Sequence, residues 1–261
     1  MISMLQSSAT APSQEFQPQT RRGRENNISW LERLLKGEMG GGYQEGVYAH
    51  ILLLGGNNPI DFRLRTAQSQ LRHDLAPSHW SHALLLGTVT DELARTTVYE
   101  ISLQPSGGFG FPPPTNGVQE GRLGQYRSSR NYPNIGLLSI TVPPEVQVEP
   151  DKAFQQQVLD ALERFKNQRA VLDALDLTLK WLSYAWGTGH SDNPLLDGIG
   201  IPSAAMLEMV FGAVGFDLTP GLESRASCPE AIWQAAKWWH QYYERKGQET
   251  CQGAYYIGHR L

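Results

Sequence analysis

Four side chains in this chain have the type and setting for acyl-transfer chemistry: His82, Glu100, Ser203 and Cys228. His82 opens the apolar run His82-Ala83-Leu84-Leu85-Leu86, whose alternation sets His82, Leu84 and Leu86 on one face of a strand. An imidazole so placed suits a general base, provided a carboxylate fixes its tautomer and favours its charged form. Glu100, in Val98-Tyr99-Glu100-Ile101 of the next strand, is the candidate for that role. The nucleophile has to come from elsewhere, and a helix N-terminus is the best place for it. The dipole and free N–H groups there stabilise a thiolate and can hold an oxyanion. Ser203, after Pro202, opens one such helix, and Cys228, before Pro229, opens another. As local chemistry the thiol is the stronger nucleophile. Each residue also has a plainer reading: His82 as a satisfied core histidine, Glu100 as an exposed strand residue, Ser203 as an N-cap, and Cys228 as a small buried hydrophobe on its helix's stripe.

The elements that must position these groups follow from periodicity and turn residues. Ile28 to Leu35 predicts a short helix, and Val47 to Leu54 a buried strand closed by Gly55-Gly56-Asn57-Asn58-Pro59. Phe62 to Leu75 has helical character. His82–Val89 and Thr96–Leu103 predict a hairpin, Asn134–Val142 a further strand, and Gly253–Gly258 a closing one. Phe154, Val158, Leu159, Leu162 and Phe165 recur at helical spacing, and Leu172–Trp186 forms a second helix. Met206, Leu207, Val210, Phe211 and Val214 form the stripe of the Ser203 helix, with Gly215 at a left-handed cap. Ile232, Ala235, Ala236, Trp239 and Tyr243 form that of the Cys228 helix, for which Ser227 and Glu230 have capping-box spacing. Strands followed by helices give the α+β class. Residues 105–133, rich in Gly, Pro, Ser, Asn and Arg, predict a long loop, and residues 1–27 a disordered leader before a single domain over 28–261.

Composition bounds the function. The 261 residues are 40% apolar, with 22 basic against 26 acidic side chains and a net charge of −4. That balance excludes a strongly basic nucleic-acid surface, and the apolar content supports a sizeable core. Two cysteines exclude a four-cysteine zinc site and a disulfide scaffold. His79 and His82, three apart on a strand, face opposite ways and make no metal pair, and His50, His73, His190, His240 and His259 have no ligand spacing. His190 is a further candidate base. Trp233, Trp238 and Trp239 suit either an acyl-chain pocket or core packing. The leader has no Sec-type apolar stretch and the run near Ile201 to Gly215 is too short for a membrane span, so the expected location is cytoplasmic, or reached by a non-Sec export route.

The stretch Ser78-His79-Trp80-Ser81-His82-Ala83-Leu84-Leu85-Leu86, followed by Val98-Tyr99-Glu100, resembles the first half of the circularly permuted papain-like amidases of the NlpC-type superfamily. In that family a Ser-His-aliphatic strand carries the base, the next strand a polar partner, and the cysteine comes last, in a helix that typically reads Cys-Ser-Glu-Leu-Val. Ser203-Ala204-Ala205-Met206-Leu207 through Phe211, Gly215 and Asp217-Leu218 is similar to that helix, with Ser203 at the cysteine position. Ser227-Cys228-Pro229-Glu230 resembles the turn that follows it, which makes Cys228 incidental. Over residues 47–230 the resemblance implies a small antiparallel sheet or half-barrel packed on helices and a cofactor-free hydrolase acting on a peptide, isopeptide, peptidoglycan-stem or related acyl bond. His82 would be the base, Glu100 the orienter and Ser203 the nucleophile position. Serine where the family has cysteine leaves a second implication, a non-catalytic protein that holds a peptide or protein partner on the same scaffold. An active enzyme using Cys228 is the third.

Overall fold

Three strands are buried at every position and carry apolar side chains on both faces, so they need a layer of structure on each side. They are β2 (Ala49–Gly55), β3 (His82–Leu86) and β6 (Asn134–Ile140). A computed structural model describes residues 16–39, 47–103, 116–142, 152–168, 174–187 and 191–258. Within them one sheet runs in the order β1-β7-β6-β2-β3-β4-β5, with β1 at Gln17–Pro18, β4 at Thr97–Glu100, β5 at Gln119–Arg122 and β7 at Cys251–Ile257. Six strands are antiparallel to their neighbours, and the two-residue β1 lies parallel on β7. With its helices this is an α+β fold.

The helices are α1 (Asn27–Leu35), α2 (Pro59–Ala67), α3 (Phe154–Asn167), α4 (Ala174–Trp186), α5 (Pro202–Gly212) and α6 (Pro229–Glu244). Ile51, Leu53, Ala83, Leu85 and Leu138 face one layer, meeting Val158 and Leu162 of α3, Ala204 to Leu207 of α5 and Ile232 of α6. Leu52, Leu54, Leu84, Leu86 and Leu137 face the other, closed by Trp30, Leu31 and Leu34 of α1. Helix α5 is the core helix: the stretch Pro194–Gly212 that contains it has mean hydropathy 1.3 and is 61% buried inside the fold. Gly215 takes φ +83°, the left-handed turn expected beyond that helix.

Three expectations are corrected. Residues 16–27 of the proposed leader are structured: Gln19 N–H donates to the Tyr255 carbonyl, Arg33 pairs with Glu25 at 2.8 Å, and Phe16 packs at 5.0 Å on Trp233 in space left open by Gly253. Residues 1–15 lie outside the described residues, as do 105–115 of the expected loop. The rest of that loop, 116–133, carries β5 and a 3-10 turn at Leu123–Tyr126. In the third case Ser227 does not cap α6. Cys228 is the N-cap residue, and the Glu230 carboxylate instead accepts from Ser78 Oγ at 2.6 Å and bonds Gln234.

Candidate functional site

The turn between β2 and α2 is where the chemistry collects. Asn58 caps α2 by accepting from the Asp61 N–H at 2.8 Å, and Pro59 sets the first turn. Asp61 in that turn then reaches back to β3, its Oδ1 lying 2.8 Å from His82 Nε2. Glycine is required here by close approach. A Cβ on Gly56 would fall 1.8 Å from Asp61 Oδ2, and one on Gly55 1.9 Å from the His79 carbonyl oxygen. Ser81 Oγ holds the same turn, accepting from Gly56 N–H at 3.1 Å and donating to the Leu54 carbonyl at 3.2 Å.

Both members of the pair are buried, His82 being 7% exposed and Asp61 fully enclosed. Burial alone opposes the imidazolium. The charge and hydrogen bond of Asp61, with a further contribution from the charge of Glu100, outweigh it and hold the His82 pKa above the ordinary histidine value. His50 shows the contrast: it bonds the Ser139 hydroxyl at 2.9 Å, and burial pushes its pKa down to about 4.

Glu100 lies on the His82 face, because β3 pairs β4 with Leu86 opposite Val98 and both strands alternate. It does not touch the imidazole through a hydrogen bond. Its Oε1 accepts from the Tyr126 hydroxyl and from Gln125 Nε2, while Oε2 is buried without a partner. Burial raises the Glu100 pKa, opposed by the His82 charge and the Tyr126 bond. Tyr132 completes the cluster, its ring centroid 6.2 Å from His82 and 5.2 Å from Tyr126. Burial and the Asp61 and Glu100 charges push its hydroxyl up to about 12.

Ser203 sits in the first turn of α5, behind Pro202, and is 4% exposed. Its hydroxyl donates to the backbone carbonyl of Ala83, the residue next to His82. Helix α5 packs on the Ala83 and Leu85 face of β3, whereas the His82 side chain alternates to the other face. Among the described residues no hydrogen bond joins Ser203 to His82. Cys228 opens α6 in the small apolar cluster with Leu64, Trp181 and Ile201, and burial pushes its thiol up to about 12. The helix N-terminus that ordinarily activates a thiol is here overridden by desolvation, so Cys228 is unionised at neutral pH.

The structure therefore brings His82 and Glu100 to one face, places Ser203 against the same strand, and leaves Cys228 in a separate cluster. Sequence reasoning missed Asp61, Tyr126 and Tyr132. An acidic residue in a first helical turn is ordinary dipole chemistry, so Asp61 carried no distinguishing signal, and both tyrosines fall in the stretch taken for a loop. His190 lies outside the described residues. Among those described no group of His, Cys, Asp and Glu has metal-site geometry. Trp233 packs against Phe16, Trp80 and Tyr255, and Trp239 against Phe216 and Tyr243, which makes these two packing residues, while Trp238 is half-exposed and stacks on Tyr242. No family model, no curated protein and no solved structure matches this chain.

Proposed function

We propose that this chain is a permuted papain-like protein that holds a peptide or acyl-amide ligand without cleaving it. One observation carries the reading: the Ser203 hydroxyl gives its proton to the Ala83 carbonyl, on the sheet face opposite the one that carries the His82 side chain. A serine nucleophile needs a base within hydrogen-bond reach to become reactive, and the Cys228 thiol is buried and unionised. The scaffold reading is supported by the base-bearing strand, the carboxylate on the following strand and the helix opening at position 203, in the chain order that the resemblance implies.

A second reading, hydrolysis through Ser203, is favoured by a specific contact. Ser203 bonds the residue adjacent to His82, so the start of α5 abuts the base's strand at its first turn. Treatment of the protein with a fluorophosphonate, followed by intact-mass and peptide mapping, separates the two. Under the binding reading Ser203 carries no adduct above that of heat-denatured protein. A stoichiometric adduct at Ser203 that disappears in His82→Gln overturns it in favour of hydrolysis.

A further inference from the structure

Between the N-terminal segment, the approach to β3 and the end of β7 lies a cavity of about 700 Å3 whose wall includes Arg21, Arg65, Arg72, Asp74 and His79. Its volume is that of a small-molecule site. Arg65 projects from α2 and is 1% exposed. Its Nε donates to the Ser78 carbonyl at 2.6 Å and its Nη1 to the Gly56 carbonyl at 3.4 Å. Its Nη2 is buried with no partner, and among the described residues no carboxylate is in ion-pair contact with it. A buried guanidinium donor left unpaired is unfavourable, by an amount comparable to a lost charge-assisted hydrogen bond.

Two neighbours share that condition. Arg21 lies with its guanidinium 4.5 Å from the Tyr256 ring centroid and donates through Nη2 to Asn27 Oδ1 at 2.6 Å, but its Nε is buried and unpartnered. His79 Nδ1 is likewise unpartnered. Burial, with the charges of Arg72 and Arg65, pushes the His79 pKa down to about 4, so at neutral pH it presents an uncharged ring. Arg72 is already held by Asp74 at 2.9 and 2.7 Å, and lies 3.9 Å from Glu230. The wall itself thus carries three guanidinium groups against the one carboxylate of Asp74, with Glu230 behind Arg72 and Asp61 acting on Arg65. Tyr255, Pro18 and Pro77 supply apolar surface beside the charges.

The geometry points to a binding site for a small organic anion, its carboxylate or phosphate head taken by the arginine wall of Arg21, Arg65 and Arg72 and its apolar body against Tyr255. A guanidinium presents its donors in a fixed fork that suits the oxygens of such a head. The site uses neither Ser203 nor His82, so it stands whether or not the papain-like reading does.

The test is an NMR titration that follows the arginine Nε–Hε resonances, using phenyl phosphate, benzoate, inorganic phosphate and, as the uncharged control, benzyl alcohol. Saturable shifts of the Arg21 resonance with phenyl phosphate or benzoate are expected, and which of the two binds identifies the head group. Weaker binding of inorganic phosphate than of phenyl phosphate would show the apolar wall contributing. Loss of one donor should weaken binding by about tenfold in Arg21→Gln, and by more in Arg65→Gln. Arg21 is only half-buried, so its variant serves if Arg65→Gln fails to fold. No saturation with either organic anion by about 10 mM, the weak end of specific affinity, or equal affinity in Arg21→Gln, overturns the proposal, as does binding of benzyl alcohol as tight as that of the anions.

Discussion

Replacing Asp61 with Asn leaves the shape of the His82 site nearly unchanged and removes the charge that holds its proton. In the native protein burial disfavours the imidazolium, and Asp61, at 2.8 Å, more than restores it, leaving the pKa above 6.5. Glu100 remains as a weaker attraction in the variant, so the His82 pKa should fall from its raised native value, and breaking the buried pair should cost about 3–5 kcal/mol of stability. The sign of the stability change follows. A folded-state pKa above the unfolded value gives a contribution fully present below pH 6.5 and lost as pH rises through the native value; in Asp61→Asn the depressed value makes stability fall as pH drops below 6.5. Histidine-ring 1H–15N spectra recorded across pH report both the pKa and the tautomer, and urea melts at pH 5 and 8 report the stability. A His82 pKa that stays above 6.5 in Asp61→Asn would refute the reasoning.

Gly56→Ala should displace Asp61, because its Cβ would fall 1.8 Å from the carboxylate; a lowered His82 pKa and a loss of about 1–3 kcal/mol in urea melts are expected. Cys228 and Cys251, both buried with thiols at about 12, should not react with a disulfide reagent at pH 8 until denaturant is added, and fast native labelling of Cys228 would reopen its candidacy as a nucleophile. Burial pushes the Glu208 pKa up to about 7, against the donors it accepts from Leu218 and Thr219, with Asp217 adding to the rise. A raised value means stability present below about pH 4.5 and lost as pH climbs towards 7. Glu208→Gln should therefore flatten the pH dependence of unfolding over that window, by up to about 3 kcal/mol at 1.36 kcal/mol per pKa unit; an unchanged pH profile would contradict the raised value.

What could be read from sequence was what periodicity encodes. The alternation from His82 to Leu86 placed the imidazole on the face of Leu84 and Leu86, and the stripes of α3, α5 and α6 recur in the core that covers the sheet. What stayed hidden lacked a period. Strand β5, Gln119-Glu120-Gly121-Arg122, is half-exposed at the sheet edge and held by its pairing with β4, so nothing in its polar residues marks a strand. Phe16 and Gln19 are ordered by Trp233 and by the Tyr255 carbonyl, contacts more than two hundred residues distant in the chain. Glu100 was legible as a carboxylate near the base, but its hydroxyl partner comes from Tyr126 beyond that unread strand. Asp61 meets His82 only because two consecutive glycines let the β2–α2 turn approach so closely.

The claim at the centre of this account is that position 203 and His82 do not work as a nucleophile and its base. The direct measurement is the pH dependence of iodoacetamide alkylation of Ser203→Cys, carried out with Cys228 and Cys251 replaced by Ala, and repeated with His82→Gln added. The account predicts an introduced thiol whose pKa stays at or above the ordinary value of about 8.5 and does not change when His82 is removed. A thiol pKa below about 7 that rises on removal of His82 would contradict it and identify a working pair.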